Sequence, residues 1–587
     1  DIVLLGDDGT LHTKKIPSST GDYAAAIVEG LADVFESTGL AGRGIDEIRH
    51  GTTVASNAIL EGKGARVGLI TTQGFRDVLE LRTLRMPRLY DMAWQKPPPL
   101  VERYLRRTVD ERVRASGEIE KPLAMDDARA QVQALVDEGV EAIAVCLINA
   151  FTNPAHELMI KAAIEEIAPD LVHCISYEVL PEIKEYERTS TTVINAYVMP
   201  IVATYLKAMR LGLDDADTPA PLLLMQSNGG LTTDRAAAER PINIIESGPA
   251  GGVVGGQAIA NTKNLDKIIT FDMGGTTAKA SMVEHGHVMR AQEYAVGAGI
   301  MVGSRLLSGA GYTLKVPAID LAEVGAGGGS LVQIDGGGAM QVGPQSAGAV
   351  PGPVCYAMGG ETVTVTDANV VLGLLNPEHL VGGALALDAE RARTAFKSQV
   401  ADPLGLAIED AAHGAFRIAA STMIRAIRAV SSERGRDPRE FSLFAFGGNG
   451  PLFACEMAAT LGMRRVVVPP SPGLFSSFGL LYADLEHHYS RTLRRVTAEA
   501  DPAEIARAWT ELEDQARAQL TADGIAPDAM RIRRSAALHY KGQSFDLVVP
   551  APDGGIDAAY LAALAEAFHA EHERVYGHRA GPEEPVE

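Results

Sequence analysis

Cysteine is scarce in this chain, and its spacing gives no sign of a metal or disulfide framework. The 587 residues include four cysteines, Cys146, Cys174, Cys355 and Cys455, and no C-x-x-C pair. Structural zinc sites bring cysteines together at short spacings, and disulfide-stabilised domains are short and cysteine-rich. The pattern therefore predicts reduced, buried thiols in a cytoplasmic protein, without a zinc or disulfide site.

Positive charge and long apolar runs are also in short supply. The chain has 75 Asp and Glu residues against 53 Lys and Arg, a net charge of −22. Such a charge is repelled by nucleic acids and by anionic membranes, so we expect neither as a partner. No apolar run is long enough to cross a bilayer, and the glycine-rich segment 336–360 is interrupted by prolines.

The length and the 46% apolar content indicate a globular chain of about two to four domains, since one core rarely grows so large. Residues 1–196 alternate strand and helix patterns, which predicts a parallel α/β layer. Residues 197–492 carry glycine turns that follow apolar strand patterns. Residues 493–587 begin with an amphipathic helix over 502–522, followed by a strand pair and a second helix, which predicts a small α+β domain.

The segment KIITFDMGGTTAKA, residues 267–280, runs an apolar strand into a carboxylate and a glycine turn. The β-branched and aromatic strand residues fix Asp272 at the strand end, where it would hold Mg²⁺ through water. The turn supplies backbone N–H groups without a shielding Cβ and two hydroxyl donors, at Gly274, Gly275, Thr276 and Thr277. The pattern predicts a triphosphate site, although a purely structural hairpin turn would have the same local sequence.

A second segment, SLFAFGGNGPLFACEMAATL at 442–461, has an apolar strand, a glycine turn and a helix. The turn residues are Gly447, Gly448, Asn449 and Gly450, and Pro451 is suited to the first helical turn. A glycine turn before a helix can receive a phosphate or a flat ring. The order of the two turns resembles the actin-like ATPase superfamily, an α/β fold of duplicated ribonuclease H-like domains. The resemblance implies that the second turn receives adenosine and that the nucleotide is ATP.

The same superfamily has two phosphate hairpins, one from each duplicated domain. Only one is found here, because the N-terminal region offers just a strand at 2–5 and a turn at 7–9. A similar strand and turn, 280–286, follow the hairpin at 267–277. We therefore expect a D-x-G-G-T-x-T segment before Asp1 in the complete protein, and we expect the C-terminus to extend further as well.

Longer segments across the whole chain resemble the hydantoinase A/5-oxoprolinase family. They are HGTTVASNAILEGKGARVGLITTQGFRDVLEL at 50–81, LYD at 89–91, KPPPLV at 96–101, LPEIKEYERTSTTVINAYV at 180–198, LLLMQSNGGL at 222–231, ESGPAGGVVG at 246–255, VGAGGGS at 324–330, VGPQSAGAVPGPVCY at 342–356 and TVTDANVVLG at 364–373. Members of this family couple ATP hydrolysis to the opening of cyclic amides such as hydantoins and 5-oxoproline. Their relatives carboxylate acetone or acetophenone.

The resemblance implies an ATP- and Mg²⁺-dependent subunit that phosphorylates a carbonyl oxygen of a small cyclic amide. It also implies a hetero-oligomer in which a hydantoinase B-type second subunit completes the hydrolysis. A ketone carboxylase subunit is a close alternative, with a ketone as substrate. A nucleotide switch in the manner of actin or Hsp70 is a third alternative, against which stands the absence of any filament or peptide-binding signature.

Both glycine-turn motifs depart from the family pattern, and Ser471 replaces the histidine of a later P-P-H-P-G pattern. Lys279 stands where an acidic residue follows the phosphate turn, and its ammonium could contact a phosphate. Asn449 and Phe453 replace residues of the pattern G-G-A-G-P-L-H-A, and Phe453 removes its histidine. These changes leave the nucleotide as expected and the substrate open.

Four further residues are candidates for the catalytic site. By analogy with the superfamily, Asn228 follows the strand that orients the acceptor beside the γ-phosphate, although Asn-Gly is also ordinary turn chemistry. Glu246 could be a partner of Mg²⁺ or water, or could simply complement a helix dipole. Asp367 lies at a strand-to-helix transition, where an N-cap role is the simpler interpretation. His50, which begins the most family-like segment, could serve as a general acid or base.

The charged residues Glu182, Glu185, Glu187 and Arg188 of PEIKEYERTS are expected on a helix, most of them on its solvated face.

Overall fold

The computed structural model describes residues 1–16, 23–84, 90–296, 311–380, 383, 385–581 and 583–587. The first residue of the LYD segment, Leu89, lies outside these ranges. The chain forms two compact units that are each discontinuous in sequence. One comprises Asp1–Lys63, Leu84–Pro97 and Ile201–Asp484, and the other comprises Gly64–Thr83, Pro98–Pro200 and Leu485–Glu587. The division into three consecutive blocks stays a prediction.

The elements are numbered in chain order. The strands are β1 (Ile2–Leu5), β2 (Leu11–Lys14), β3 (Ile48–His50), β4 (Val67–Thr72), β5 (Arg106–Val109), β6 (Arg112–Val113), β7 (Ile119–Lys121), β8 (Ala142–Cys146), β9 (Val172–Ile175), β10 (Leu222–Met225), β11 (Leu231–Thr233), β12 (Lys267–Met273), β13 (Ala278–Glu284), β14 (His287–Val288), β15 (Arg290–Ala291), β16 (Tyr294–Val296), β17 (Tyr312–Leu314), β18 (Ala318–Ile319), β19 (Ala322–Val324), β20 (Ser330–Ile334), β21 (Met340–Ser346), β22 (His379–Leu380), β23 (Leu385–Ala386), β24 (Ser442–Phe446), β25 (Val466–Val467), β26 (Ser535–Leu538) and β27 (Leu547–Pro550). The helices are α1 (Tyr23–Thr38), α2 (Val54–Leu60), α3 (Val78–Leu81), α4 (Met125–Asp137), α5 (Ala155–Ile167), α6 (Ser176–Val179), α7 (Glu185–Asp215), α8 (Asp234–Glu239), α9 (Ser247–Thr262), α10 (Val365–Val371), α11 (Ala389–Phe396), α12 (Asp402–Leu404), α13 (Ile408–Val430), α14 (Gly450–Leu461), α15 (Phe475–Gly479), α16 (Pro502–Ala522) and α17 (Ala558–Tyr576).

The larger unit is built on a mixed sheet in the order β14-β13-β12-β24-β25, with β19 paired to β13. Successive side chains of β12 point to opposite faces of this sheet, so its apolar residues pack against the elements that cover each face. Ile269, Phe271 and Met273 pack in the core that includes α13 and α14. Ile268 packs in the core that includes α9 and α15. Asp272 therefore belongs to the α9 face, two residues beyond Thr270.

A second, small sheet of the larger unit has the order β11-β10-β3. Strands β10 and β3 are parallel, and Leu224 lies opposite His50. Both strands therefore end at the same edge of the sheet, where β10 is followed by residues 226–228 and β3 by residues 51–53. Two sites predicted from segments far apart in sequence are thereby brought close together.

The other unit confirms the α/β pattern predicted near the N-terminus. Its sheet is parallel in the order β5-β4-β8-β9, and β4 and β8 are buried throughout, as sheets covered on both faces require. The helix predicted over 502–522 is α16, and the strand pair that follows is β26 and β27.

Two expectations about charge and apolar runs need correction. Arg188 is not on a solvated face, since it is 1% exposed and donates to the carbonyls of Leu147 and Glu182. Among the described residues, one helix, α7, is long and apolar enough to cross a membrane by length and composition alone. Its most apolar stretch is 56% buried inside the chain, as in the core helix of a globular domain.

Candidate functional site

Strands β12 and β13 form the predicted hairpin around the glycine turn, and we call residues 267–284 the phosphate hairpin. The two strands pair antiparallel from Lys267 opposite Glu284 to Met273 opposite Ala278. Ile268, Ile269 and Phe271 have no exposed surface, so the hairpin is anchored in the core. The loop 274–277 projects beyond the sheet edge, and its central residues 275 and 276 are exposed.

The second glycine turn, Gly447–Gly450, lies directly beside the phosphate hairpin, and we call it the adenosine turn. Strand β24 runs parallel to β12 with Phe446 opposite Asp272, so both turns follow the same sheet edge. Asn449 donates its backbone N–H to the Met273 carbonyl at 2.9 Å and its Nδ2 to the Gly274 carbonyl at 3.1 Å. A Cβ on Gly447, which has φ +81°, would overlap the Asp272 carboxylate.

A third glycine segment supports the hairpin loop from behind. In this glycine brace, residues 325–329, Gly328 donates its N–H to the Gly274 carbonyl at 3.1 Å and Gly329 to the Gly275 carbonyl at 2.7 Å. A Cβ on Gly327 would overlap the backbone of Gly275. The sequence did reveal this glycine run, but only as part of the family resemblance and without a role.

The brace determines where the loop N–H groups point. A trans peptide places its carbonyl and N–H on opposite sides, so the N–H groups of Gly275 and Thr276 point away from the brace. Among the described residues, neither these two N–H groups nor that of Thr277 have a hydrogen-bond partner. The space at the Cβ positions of Gly274 and Gly275 is also empty within 4 Å. The protein itself thus has no steric need for these two glycines, whereas a bound phosphate would.

The carboxylate of Asp272 lies beside this loop, largely buried. In the described part of the chain, no group donates a hydrogen bond to it. Burial raises the pKa of Asp272, and the neighbouring Lys279 ammonium partly opposes that rise. A buried carboxylate without donors is a group that a cation would stabilise.

Lys279 lies in the middle of a row of charged side chains that crosses three strands. It pairs with Asp272 on β12 and with Glu323 on β19, so the three side chains share one sheet face. Its Nζ is 3.5 Å from Glu323 Oε1 and 3.9 Å from Glu246 Oε2. Lys279 therefore faces the candidate site and is held by two carboxylates. The contact with Glu323 joins strands distant in sequence, and no local pattern signals it.

Glu246 precedes helix α9, as the sequence predicts, but its side chain does not cap the helix. Burial raises its pKa, and the Lys279 ammonium counteracts part of that rise. The Ser227 hydroxyl accepts a hydrogen bond from the Glu246 N–H at 3.1 Å. The hydroxyl of Tyr294 is buried near the same groups, and burial, followed by the Glu246 charge, raises the pKa of Tyr294. No local pattern in the sequence singles out Tyr294.

His50 is the last residue of strand β3, and Asn228 lies beyond the end of the parallel strand β10. Asn228 Oδ1 accepts from the Gly230 N–H at 2.7 Å, which is the turn chemistry expected of Asn-Gly. His50 Nε2 is hydrogen-bonded to the Tyr205 hydroxyl at 2.6 Å, and burial lowers the pKa of His50 to about 4. A neutral imidazole at this position is a weak acid–base group near neutral pH.

Asp367 is set apart from the other candidates by its hydrogen bonds. It belongs to a capping box with Thr364 at the start of α10. Its carboxylate accepts from the N–H groups of Val354, Cys355 and Thr364 and from the Thr364 hydroxyl. These four hydrogen bonds explain why a carboxylate is buried at this position even without a bound substrate. A catalytic role of Asp367 stays a prediction.

The residues present fit a nucleotide better than a protein-caged metal. Within the described ranges, no group of three or more His, Cys, Asp or Glu side chains is placed to hold a metal ion. Mg²⁺ in nucleotide sites needs only one or two carboxylates, because phosphate oxygens and water complete its coordination. Asp272 beside the unpartnered loop amides meets that requirement.

Family models match nearly the whole chain. They describe the hydantoinase/oxoprolinase N-terminal region over residues 1–168, the hydantoinase/oxoprolinase domain over 188–489 and the corresponding C-terminal domain over 494–585.

The similarity extends to characterised relatives and solved structures. The caprolactamase subunit alpha of Pseudomonas jessenii is 34% identical over 100% of this chain and 84% of its own length. The crystal structure of the ATP-dependent caprolactamase of that organism superposes with a TM-score of 0.89 at 33% identity, covering 100% of this chain and 84% of that one. The nucleotide-free structure of an acetone carboxylase superposes with a TM-score of 0.74 at 28% identity, with the same coverage. The chain belongs to the hydantoinase/oxoprolinase family.

Proposed function

We propose that this chain is the ATP-dependent, carbonyl-phosphorylating subunit of a cyclic-amide hydrolase. The observation that carries this proposal is the pair of loop N–H groups, on Gly275 and Thr276, that the glycine brace turns toward open space. Backbone N–H groups in such a loop bind phosphate oxygens without needing to reorganise. The named relatives include an ATP-dependent caprolactamase, which supports the same nucleotide and a lactam-like substrate.

The residues of the site divide the work of phosphoryl transfer. The loop donors at Gly275, Thr276 and Thr277 hold the phosphates, and the adenosine turn holds the nucleoside. Mg²⁺, when bound, neutralises charge on the phosphate oxygens, and Asp272 is the residue that would hold it. Lys279 lies on the same sheet face as Asp272, where its positive charge favours negative charge developing on the transferred group.

The acceptor is a carbonyl oxygen on the α9 side of the hairpin. As it attacks the γ-phosphorus, a new O–P bond forms and the bond between that phosphorus and the ADP oxygen breaks. For an amide acceptor, the N–H proton leaves to a base, and Glu246 is the carboxylate that faces this region. The product is an O-phosphorylated imidate, which is far more electrophilic at carbon than the amide. Hydrolysis of this product on a hydantoinase B-type second subunit would complete the reaction.

A ketone carboxylase subunit is the second candidate, supported by the likeness to acetone carboxylase. In that case the base removes a proton from the carbon beside the carbonyl, and the enolate oxygen takes the phosphoryl group. The departure at Phe453 does not favour either reaction, because Phe453 is fully buried and stacks on Phe416 with ring centres 4.2 Å apart. The position serves core packing.

The proposal extends to the organisation of the protein. We propose the actin-like duplication as its fold, with blocks 1–196, 197–492 and 493–587 as its domains, and a cytoplasmic hetero-oligomer as its working form.

A substrate screen on the complex co-purified with this chain tests the proposal. ADP release is measured with cyclic amides and with ketones, each with and without bicarbonate. Release stimulated by a lactam or hydantoin without bicarbonate supports the hydrolase, and release that needs both a ketone and bicarbonate supports the carboxylase. Absence of stimulation by either class would contradict carbonyl phosphorylation.

A further inference from the structure

The charges around the proposed acceptor position restrict the substrate. Three carboxylates lie on or beside the α9 face of the hairpin, those of Asp272, Glu323 and Glu246. Lys279 stands among them, within 4 Å of two of the three. The triphosphate of ATP, whose negative charge a single Mg²⁺ only partly neutralises, would add net negative charge at the same edge.

Proteins commonly recognise an anionic substrate with a cationic side chain, most often an arginine that binds a carboxylate through two hydrogen bonds. In the part of the chain that the structure describes, Lys279, Arg290 and Arg434 are each in contact with protein groups. Lys279 is held by its two carboxylates. Arg290 donates to the Asn228 carbonyl, and Arg434 forms a two-pronged pair with Asp320 at 2.8 and 2.9 Å.

We infer that the acceptor is a neutral carbonyl compound, and that a carboxylate on the substrate is rejected by the Glu323–Lys279–Glu246 group. This inference rests on the proposed function and adds the substrate class to it. A carboxylate near the acceptor position would meet like charges in a partly desolvated site, where water screens them poorly. A neutral lactam or ketone carries no charge for these carboxylates to repel, and its carbonyl oxygen can accept a hydrogen bond from the Lys279 ammonium or from the hydroxyls of Ser227 and Tyr294.

Matched substrate pairs test this inference on the co-purified complex. Pyrrolidin-2-one and 5-oxoproline differ only by a carboxylate, as do acetophenone and 3-acetylbenzoate, the latter pair being assayed with bicarbonate. The measured quantity is kcat/KM for ADP release. The substrate carboxylate would meet two like charges in a partly buried site, those of Glu323 and Glu246. At about tenfold for each contact, we expect a preference of about 100-fold for the neutral member of the active pair.

A variant of Glu323 tests whether the Glu323–Lys279–Glu246 group causes the preference for the neutral substrate. Glu323→Gln removes one negative charge, so it should narrow the preference by about tenfold, mainly through a lower KM for the carboxylate-bearing substrate. Asp335→Asn, an equal charge change in an exposed turn of the same unit, should leave the ratio unchanged. The circular dichroism spectrum and melting temperature of both variants verify that they fold.

The outcomes separate this inference from the proposed function. If a carboxylate-bearing compound is turned over as well as its neutral partner, or if Glu323→Gln leaves the ratio unchanged, the inference is overturned and carbonyl phosphorylation still stands. If neither pair stimulates ADP release, the proposed function itself fails and the inference falls with it.

Discussion

Glycine-to-alanine substitution in the hairpin loop offers a sharp test, because the structure separates two kinds of glycine. No atom lies within 4 Å of the position that a Cβ on Gly275 would take, and Gly275 does not have a positive φ. Alanine there should not disturb the folded chain, and the smaller entropy of the unfolded chain should stabilise it by about 0.4–1 kcal/mol. We therefore expect the melting temperature of Gly275→Ala to equal or slightly exceed that of the wild type.

ATP binding should respond in the opposite direction. The added methyl group would occupy the space where a phosphate oxygen approaches the N–H groups of Gly275 and Thr276. Each hydrogen bond to a charged group contributes about 1.5–3 kcal/mol. Loss of one bond should then raise the dissociation constant for ATP by about 10- to 100-fold, at roughly 1.4 kcal/mol per factor of ten.

Isothermal titration with a non-hydrolysable ATP analogue and Mg²⁺ measures the binding, and differential scanning fluorimetry measures the stability. Gly336→Ala is the matched control, because Gly336 also has open Cβ space and no positive φ but lies in a distant turn. Gly327→Ala provides the contrast, since its Cβ would overlap the Gly275 backbone and should destabilise the chain by about 1–3 kcal/mol or more. Wild-type ATP affinity in Gly275→Ala would refute the phosphate-binding role of the loop.

Three further predictions concern charged and titratable groups. Burial raises the pKa of Asp272, so ionisation of its carboxyl group destabilises the folded chain as the pH rises through that pKa. At about pH 7, Asp272→Asn should therefore melt no lower than the wild type, yet it should lose Mg·ATP hydrolysis. Lys279→Ala should lower ATP turnover at saturating substrate at least roughly tenfold, or about 1.4 kcal/mol, whereas Lys267→Ala at the far end of the same hairpin should not; equal turnover would make Lys279 a structural residue. Burial lowers the pKa of His50 to about 4, so stability from its neutral form is present above its ordinary pKa and is lost as the pH falls toward 4. Between about pH 7 and pH 5 the wild type should therefore lose more melting temperature than His50→Gln does. Equal losses in the two proteins would contradict a neutral His50 in the folded chain.

Local patterns were sufficient to predict the elements that carry the candidate nucleotide site. The apolar run before Asp272 predicts a strand, and β12 has this strand with Asp272 near its end. The strand, glycine turn and helix at 442–461 are likewise found as β24, the adenosine turn and α14. Such predictions succeed because apolar periodicity and glycine turns depend on neighbours in sequence.

Contacts between distant segments could not be predicted in the same way. The glycine brace contacts the phosphate hairpin through backbone hydrogen bonds, and the residue types alone do not reveal such contacts. Glu323 meets Lys279 because β19 pairs with β13. Arg188 looks like a surface charge in its own helix, yet it is buried and donates a hydrogen bond to the Leu147 carbonyl. In each case the tertiary fold decides the environment, which a one-dimensional pattern does not contain.

A structure of the protein with Mg²⁺ and a non-hydrolysable ATP analogue tests the central assignment most directly. The phosphate-binding role of the hairpin predicts β- or γ-phosphate oxygens within about 2.7–3.2 Å of the N–H groups of Gly275 and Thr276, with the metal ion on the Asp272 side. A triphosphate bound elsewhere, with these N–H groups still facing solvent, would contradict it.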